Sequence, residues 1–132
     1  MDMDDLMIFV VDDDQDVCEA SSWLLKAYGW HTRTFNDARD CLAAAVEEPP
    51  VCILSDLQMP FMDGTDLMEE LLAAGVDVPV VMVTGLTQPS PDWMRAAELA
   101  TAMVAKPCDS AELNRVISRA VASFGHTPSS GP

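Results

Sequence analysis

Positive charge is scarce in this chain. Its 132 residues carry 7 Lys and Arg against 22 Asp and Glu, for a formal net charge of −15 at pH 7. A protein that grips duplex DNA needs clustered cations to displace the counterions on the phosphates, and no such cluster exists here. Direct nucleic-acid binding is therefore not expected; metal cations and partners with basic faces fit better. The apolar run near the N-terminus is far too short to cross a bilayer, so no membrane role is expected either. "MDMDDLMIFVV" has neither the basic stretch nor the small-residue cleavage site of a secretory signal. A cytoplasmic protein is the expectation. Cys18, Cys41, Cys52 and Cys108 include no C-x-x-C pair. They read as buried thiols in a reducing compartment rather than as zinc ligands or disulfides.

What is present is material for a core. Hydrophobic residues make up 49% of the chain and charged ones 22%, which suits a folded domain of this length. Two kinds of segment alternate. Strand candidates are "LMIFVV" (Leu6–Val11), "WHTRTF" (Trp30–Phe35), "VCILS" (Val51–Ser55), "PVVMVT" (Pro79–Thr84) and "AMVA" (Ala102–Ala105). Most are short continuous apolar runs, the mark of strands buried on both faces of a parallel sheet. "WHTRTF" alternates instead and should lie at an edge. Helical spacing follows each: Val17 to Tyr28 with Gly29 as the stop, Asn36 or Asp37 as cap of a helix through Val46, and Thr65–Ala74 before Gly75. Ser90 with Pro91 opens a fourth helix, and Asp109 or Ser110 a fifth. Five β-then-α units imply a doubly wound α/β fold with helices on both faces of a parallel sheet, its strand order 2-1-3-4-5. Residues 1–125 are expected to form this one domain, and 126–132, "HTPSSGP", a disordered tail.

In strand order 2-1-3-4-5, the carboxyl ends of strands 1 and 3 flank the switch point where ligands bind. "VVDDDQD" (Val10–Asp16) puts four carboxylates into seven residues at the end of strand 1, and Asp56 ends strand 3. Alone, "DDD" is equally a solvated turn with Asp14 or Asp16 capping the next helix. With Asp56 beside it, the acids converge, and uncompensated convergence forces some of them to take up protons. A hard divalent cation removes the conflict, since Mg²⁺ prefers carboxylate oxygens and water. Thr84 and Lys106 follow strands 4 and 5 and arrive at the same rim. Acids, a hydroxyl and an ammonium on one edge suit a transferable anion, with Asp56 as a carboxylate nucleophile.

At this point the sequence resembles a family. "VVDDD" (Val10–Asp14), "SDLQMPFMDG" (Ser55–Gly64), "VVMVTG" (Val80–Gly85) and "AKP" (Ala105–Pro107) look like the receiver domain of two-component response regulators, in order and from about Leu6 to Phe124. The resemblance implies a flavodoxin-like fold. It implies that Asp56 accepts a phosphoryl group from a sensor histidine kinase or phosphotransfer protein. It also implies that Asp13, Asp56 and the Gln58 carbonyl bind Mg²⁺ directly and Asp12 through water, that Thr84 and Lys106 sense the acyl phosphate, and that the Lys106–Pro107 bond is cis. At most this is self-catalysed phosphoryl transfer and loss, not conventional enzyme activity; a phosphatase would want an acid where Gln58 stands.

Several positions depart from the family pattern. Met103 replaces the aromatic residue whose ring moves with Thr84. Leu99 replaces a Gly after the fourth helix, and Phe61 takes a loop position that often holds Gly or Asn. Leu86 lies where hydrolytic water is controlled and is expected to slow phosphoryl loss. Trp93 and Met94, with Met103, Pro107 and Cys108 nearby, suggest an apolar partner face on the fourth helix, fifth strand and fifth helix, which is also the surface for a homodimer. Trp23 and Trp30 read as core or core-edge residues. With eight residues after Phe124, the expected protein is a stand-alone receiver whose output passes through a downstream protein partner. The alternatives are a receiver-fold interaction module that works without phosphorylation, and the receiver part of a longer LuxR-type transcription regulator.

Overall fold

The computed structural model describes residues 6–85, 90–107 and 109–124. Its strands are β1 (Met7–Val11), β2 (His31–Phe35), β3 (Cys52–Asp56), β4 (Val80–Thr84) and β5 (Ala102–Ala105). Between and after them run α1 (Gln15–Ala27), α2 (Ala38–Glu47), α3 (Gly64–Ala73), α4 (Pro91–Leu99) and α5 (Ser110–Ser123). All strand pairs are parallel, in the order β2-β1-β3-β4-β5. The alternating strand β2 is at the edge, as its pattern predicts.

The continuous apolar runs divide between two faces, because successive side chains of a strand point to opposite sides. Phe9, Val11, Ile53, Val80 and Met82 pack with Cys41, Leu67, Leu71 and Ala96 from α2, α3 and α4. Ile8, Val10, Leu54, Val81 and Val104 pack with Cys18, Leu25, Leu113 and Ile117 from α1 and α5. Each fully buried aliphatic side chain of this kind contributes about 1.5–3 kcal/mol relative to exposure.

Each helix opens on a side chain that accepts from its first-turn amides: Asp14, Asp37, Asp63, Ser90 and Asp109. Such caps satisfy N–H groups that have no partner within the helix. At α3 the arrangement is reciprocal, with Asp66 Oδ2 accepting from the Asp63 N–H at 3.2 Å and Asp63 Oδ1 from the Asp66 N–H at 2.8 Å. The helix expected over Thr65–Ala74 thus starts and ends one residue earlier, because Asp63 rather than Gly64 is its cap. Leu99 does not extend α4, which ends there with Ala100 extended.

Trp23 corrects the sequence reading. It is 75% exposed, because Cys18, Ser22 and Leu25 form the buried stripe of α1 and Trp23 falls outside it. Trp30 lies at the core edge as expected, half-buried, its indole N–H donating to Asn114 Oδ1 at 2.7 Å. Cys18, Cys41 and Cys52 are buried free thiols. Leu86, Cys108 and the tail from 126 lie outside the described residues.

Candidate functional site

Strand register builds the site. Val11 pairs with Ser55, so the next residues on each strand, Asp12 and Asp56, emerge side by side at the carboxyl end. Thr84 pairs with Ala105, which brings Lys106 out one step beyond, its N–H donating to the Thr84 carbonyl at 2.8 Å. Asp12 is buried, Asp56 half-buried and Asp13 exposed, and one oxygen from each lies within 4.8 Å of the others. Lys106 Nζ sits 3.3 Å from Asp56 Oδ2 and 3.8 Å from Asp12 Oδ2.

Burial is the main reason the Asp12 carboxyl is held above the usual carboxylate range, and the charges of Asp56 and Asp13 push the same way. The Asp14 N–H, which donates to Asp12 Oδ1 at 2.9 Å, and the Lys106 ammonium oppose the shift without cancelling it. Among the described residues one ammonium thus pairs with two of three convergent carboxylates, and the site keeps a deficit of positive charge. Its donors are hard oxygens at a spacing one small cation can bridge, which is the ligand chemistry of Mg²⁺ rather than of a soft metal.

The floor beneath the acids is fixed by residues whose part the sequence reading did not foresee. The Asp12 carbonyl accepts from Cys18 Sγ at 3.3 Å and from Asn36 Nδ2 at 3.2 Å, so a thiol read as core and an amide read as a cap both hold the acidic turn. A polar residue directly after a strand that ends beside the acids was the available signal. Gly64 is a second case. A Cβ there would lie 2.7 Å from the Asp56 carbonyl oxygen and 2.5 Å from Met82 Sδ, so only glycine lets α3 start against β3. The Gly64 N–H closes the loop on the Leu57 carbonyl at 2.9 Å.

Of the remaining predicted site residues, Gln58 is exposed in the loop two positions past Asp56, and Thr84 is buried at the end of β4. The Lys106–Pro107 bond is cis, as the resemblance implies. Met103 is half-buried and pairs in register with Met82, on the sheet face covered by α4. Trp93 is half-buried and Met94 56% exposed, so the apolar surface on α4 rests mainly on Met94. Phe61 has φ +69°, the left-handed region that favours Gly or Asn, which gives the family's usual choice there a physical reason. Among the described residues no helix is long and apolar enough to cross a membrane.

This arrangement of parallel strands ending in acids, hydroxyl and ammonium has close counterparts. Residues 8–118 match the response regulator receiver domain. The chain belongs to that family. Receiver domains bind Mg²⁺ at an acidic pocket and interact with histidine kinases or phosphotransfer proteins in two-component signalling. The chain is 32% identical over 127 residues to the transcriptional regulatory protein FixJ of Azorhizobium caulinodans, covering 96% of this chain and 58% of that protein. Over 78 residues it is 35% identical to the C4-dicarboxylate transport transcriptional regulatory protein DctD of Rhizobium meliloti, covering 59% of this chain and 17% of that one. This receiver domain thus spans less than two thirds of either relative. Among solved structures, FixJ-N superposes with a TM-score of 0.83 at 25% identity, covering 89% of this chain and 94% of its own. The Vibrio cholerae chemotaxis protein CheY4 superposes with a TM-score of 0.77 at 26% identity, covering 86% and 97%.

Proposed function

We propose that this receiver is a phosphorylation-controlled switch in which Asp56 accepts a phosphoryl group from the phosphohistidine of a kinase or phosphotransfer protein. The observation that carries the reading is the meeting of Asp12, Asp13 and Asp56 oxygens within 4.8 Å, with Lys106 Nζ 3.3 Å from Asp56 Oδ2. An Asp56 oxygen attacks phosphorus, and the O–P bond forms as the P–N bond to the imidazole breaks. The electron pair stays on the imidazole nitrogen, which takes a proton from solvent. Lys106 neutralises charge on the transferring oxygens, and the Thr84 hydroxyl hydrogen-bonds one of them. Asp13, Asp56 and the Gln58 carbonyl would hold Mg²⁺ directly and Asp12 through water. When bound, the ion supplies the positive charge that the carboxylates and phosphoryl oxygens together require.

Output then passes through the α4–β5–α5 face, where Trp93, Met94, Met103 and Pro107 lie and Leu86 precedes α4, to a downstream protein partner or a second copy. Intact mass after incubation with acetyl phosphate and Mg²⁺ tests the acceptor. Wild type should gain one phosphoryl group and Asp56→Asn none. Failure of wild type to gain mass would leave an interaction module of the same fold, and equal gain by the variant would move the acceptor elsewhere.

A further inference from the structure

The rim of acids opens onto a pocket that runs beyond it along one face of the sheet. Between α1 and α5 lies a cavity of about 300 Å³, walled by Val10 and Leu54 of the sheet, Val17 of α1 and Leu113 of α5. Asp12, Asp56 and Lys106 line it where it meets the rim, and Ser21 lines it from α1. A pocket of this size, open to solvent on one side, apolar on most of its walls and charged at one end, has the make-up of a small-molecule site, which runs from about 300 Å³ upward.

The charged end decides which molecule. Two carboxylates share a single ammonium there, at 3.3 and 3.8 Å, and Asp13 contributes a third negative charge within 4.8 Å. An anionic head would meet net repulsion; a cationic one would take the place beside Asp12 and Asp56 that Lys106 Nζ now holds. The net charge of −15 favours the same sign at long range. We propose that this cavity binds a small amphipathic cation, its apolar body between α1 and α5 and its ammonium on Asp12 and Asp56. Because these carboxylates belong to the Mg²⁺ site, occupancy opposes loading with the ion and holds the receiver in its unphosphorylated form. That consequence rests on the phosphoacceptor reading above; the binding does not.

The test is a titration of the uniformly ¹⁵N-labelled chain with phenethylamine, followed by amide shifts without any phosphodonor. Saturable shifts are expected at Val17, Ser21, Leu54 and Leu113. Binding should weaken at least tenfold for 2-phenylethanol, which has the body without the charge, and for methylamine, which has the charge without the body. Ser21→Leu, which fills the cavity from α1, should weaken phenethylamine by a similar factor. Ser21→Ala, which leaves it open, should bind as wild type. Added Mg²⁺ should raise the apparent dissociation constant. Absence of saturable shifts, equal binding of the neutral analogue, or indifference to Ser21→Leu while Ser21→Ala binds would each overturn the proposal. Loss of phosphorylation alone would overturn only the acceptor assignment, since the titration contains no phosphodonor.

Discussion

The two faces of the sheet are covered unequally. α2, α3 and α4 lie over one face and α1 and α5 over the other. At about 10 Å per helix, three helices cover roughly 30 Å, whereas two cover roughly 20 Å of a sheet whose five strands span about 24 Å. The three-helix face is accordingly tight: Gly64 abuts the Asp56 carbonyl and Met82, and Arg95 pairs with Glu69 to tie α4 to α3. The two-helix face holds the pocket beside the acids, whereas exposed apolar side chains occur on both faces, Val17, Leu24 and Tyr28 on α1 and Val46, Leu72 and Met94 on α2, α3 and α4. The strand order that creates the acidic switch point thus also sets a pocket on one flank of that site and close backbone packing on the other.

Alkaline pH strains both faces at once and gives the largest effect. Burial pushes the Cys41 and Cys52 thiols up to about 12 and Cys18 to about 11, from an ordinary value of 9.0. Above pH 9 the unfolded chain releases these protons while the folded one keeps them, so the unfolded state binds fewer protons and stability falls as pH rises. With all three thiols retained, the slope approaches about 4 kcal/mol per pH unit between pH 10 and 11, where Cys18 begins to ionise in place. Urea midpoints from pH 8 to 11 measure it. Cys41→Ala on the tight face and Cys52→Ala on the open one should each remove about a third of the slope. If Cys41→Ala left the slope unchanged, burial under α2 would not be what keeps that thiol protonated.

A change of one heavy atom on each face separates them directly. Gly64→Ala should cost about 1–3 kcal/mol, because the new Cβ meets a backbone oxygen that cannot move without displacing β3. Ser21→Ala, on the open flank, should change stability by no more than about 0.5 kcal/mol. Denaturation at pH 7 reads both. Similar values for the two would erase the distinction between the faces.

The order of elements, the edge position of β2 and the caps of α1, α2, α4 and α5 were legible because each depends on local pattern: continuous runs, one alternating run, and Asp or Ser before helical spacing. The convergence of Asp12, Asp13, Asp56, Thr84 and Lys106 was legible for a different reason, since parallel strands in one order send all their carboxyl ends to one rim. Trp23 was misread because a large aromatic residue invites burial, whereas the helical phase set by Cys18, Ser22 and Leu25 turns it outward. Asn36 and Cys18 grip one carbonyl through the tertiary meeting of β1, β2 and α1, of which a polar residue straight after β2 was the one hint in the sequence. The cavity is invisible in sequence, because it is set by how far apart two helices settle.

The smallest effect tests a flaw in the tight face, at the loop that leads into α3. Phe61 sits at φ +69° with its ring 82% exposed, so it carries left-handed strain of about 1–2 kcal/mol without the compensation of burial. Its ring is met by Arg39, whose guanidinium lies 4.6 Å from the ring centroid while also forking onto Asp37. An exposed stack of this kind contributes about 0.5–1 kcal/mol. Phe61→Gly removes the strain and the stack together and adds freedom to the unfolded chain, worth about 0.5–1 kcal/mol against folding. These terms nearly offset, so the variant should differ from wild type by no more than about 0.5 kcal/mol. A double-mutant cycle with Arg39→Ala isolates the stack, because the Asp37 ion pair is lost equally in both backgrounds. A coupling of about 0.5 kcal/mol supports the geometry. A coupling near zero, with Phe61→Gly strongly destabilising, would show that the exposed ring is held by contacts other than Arg39.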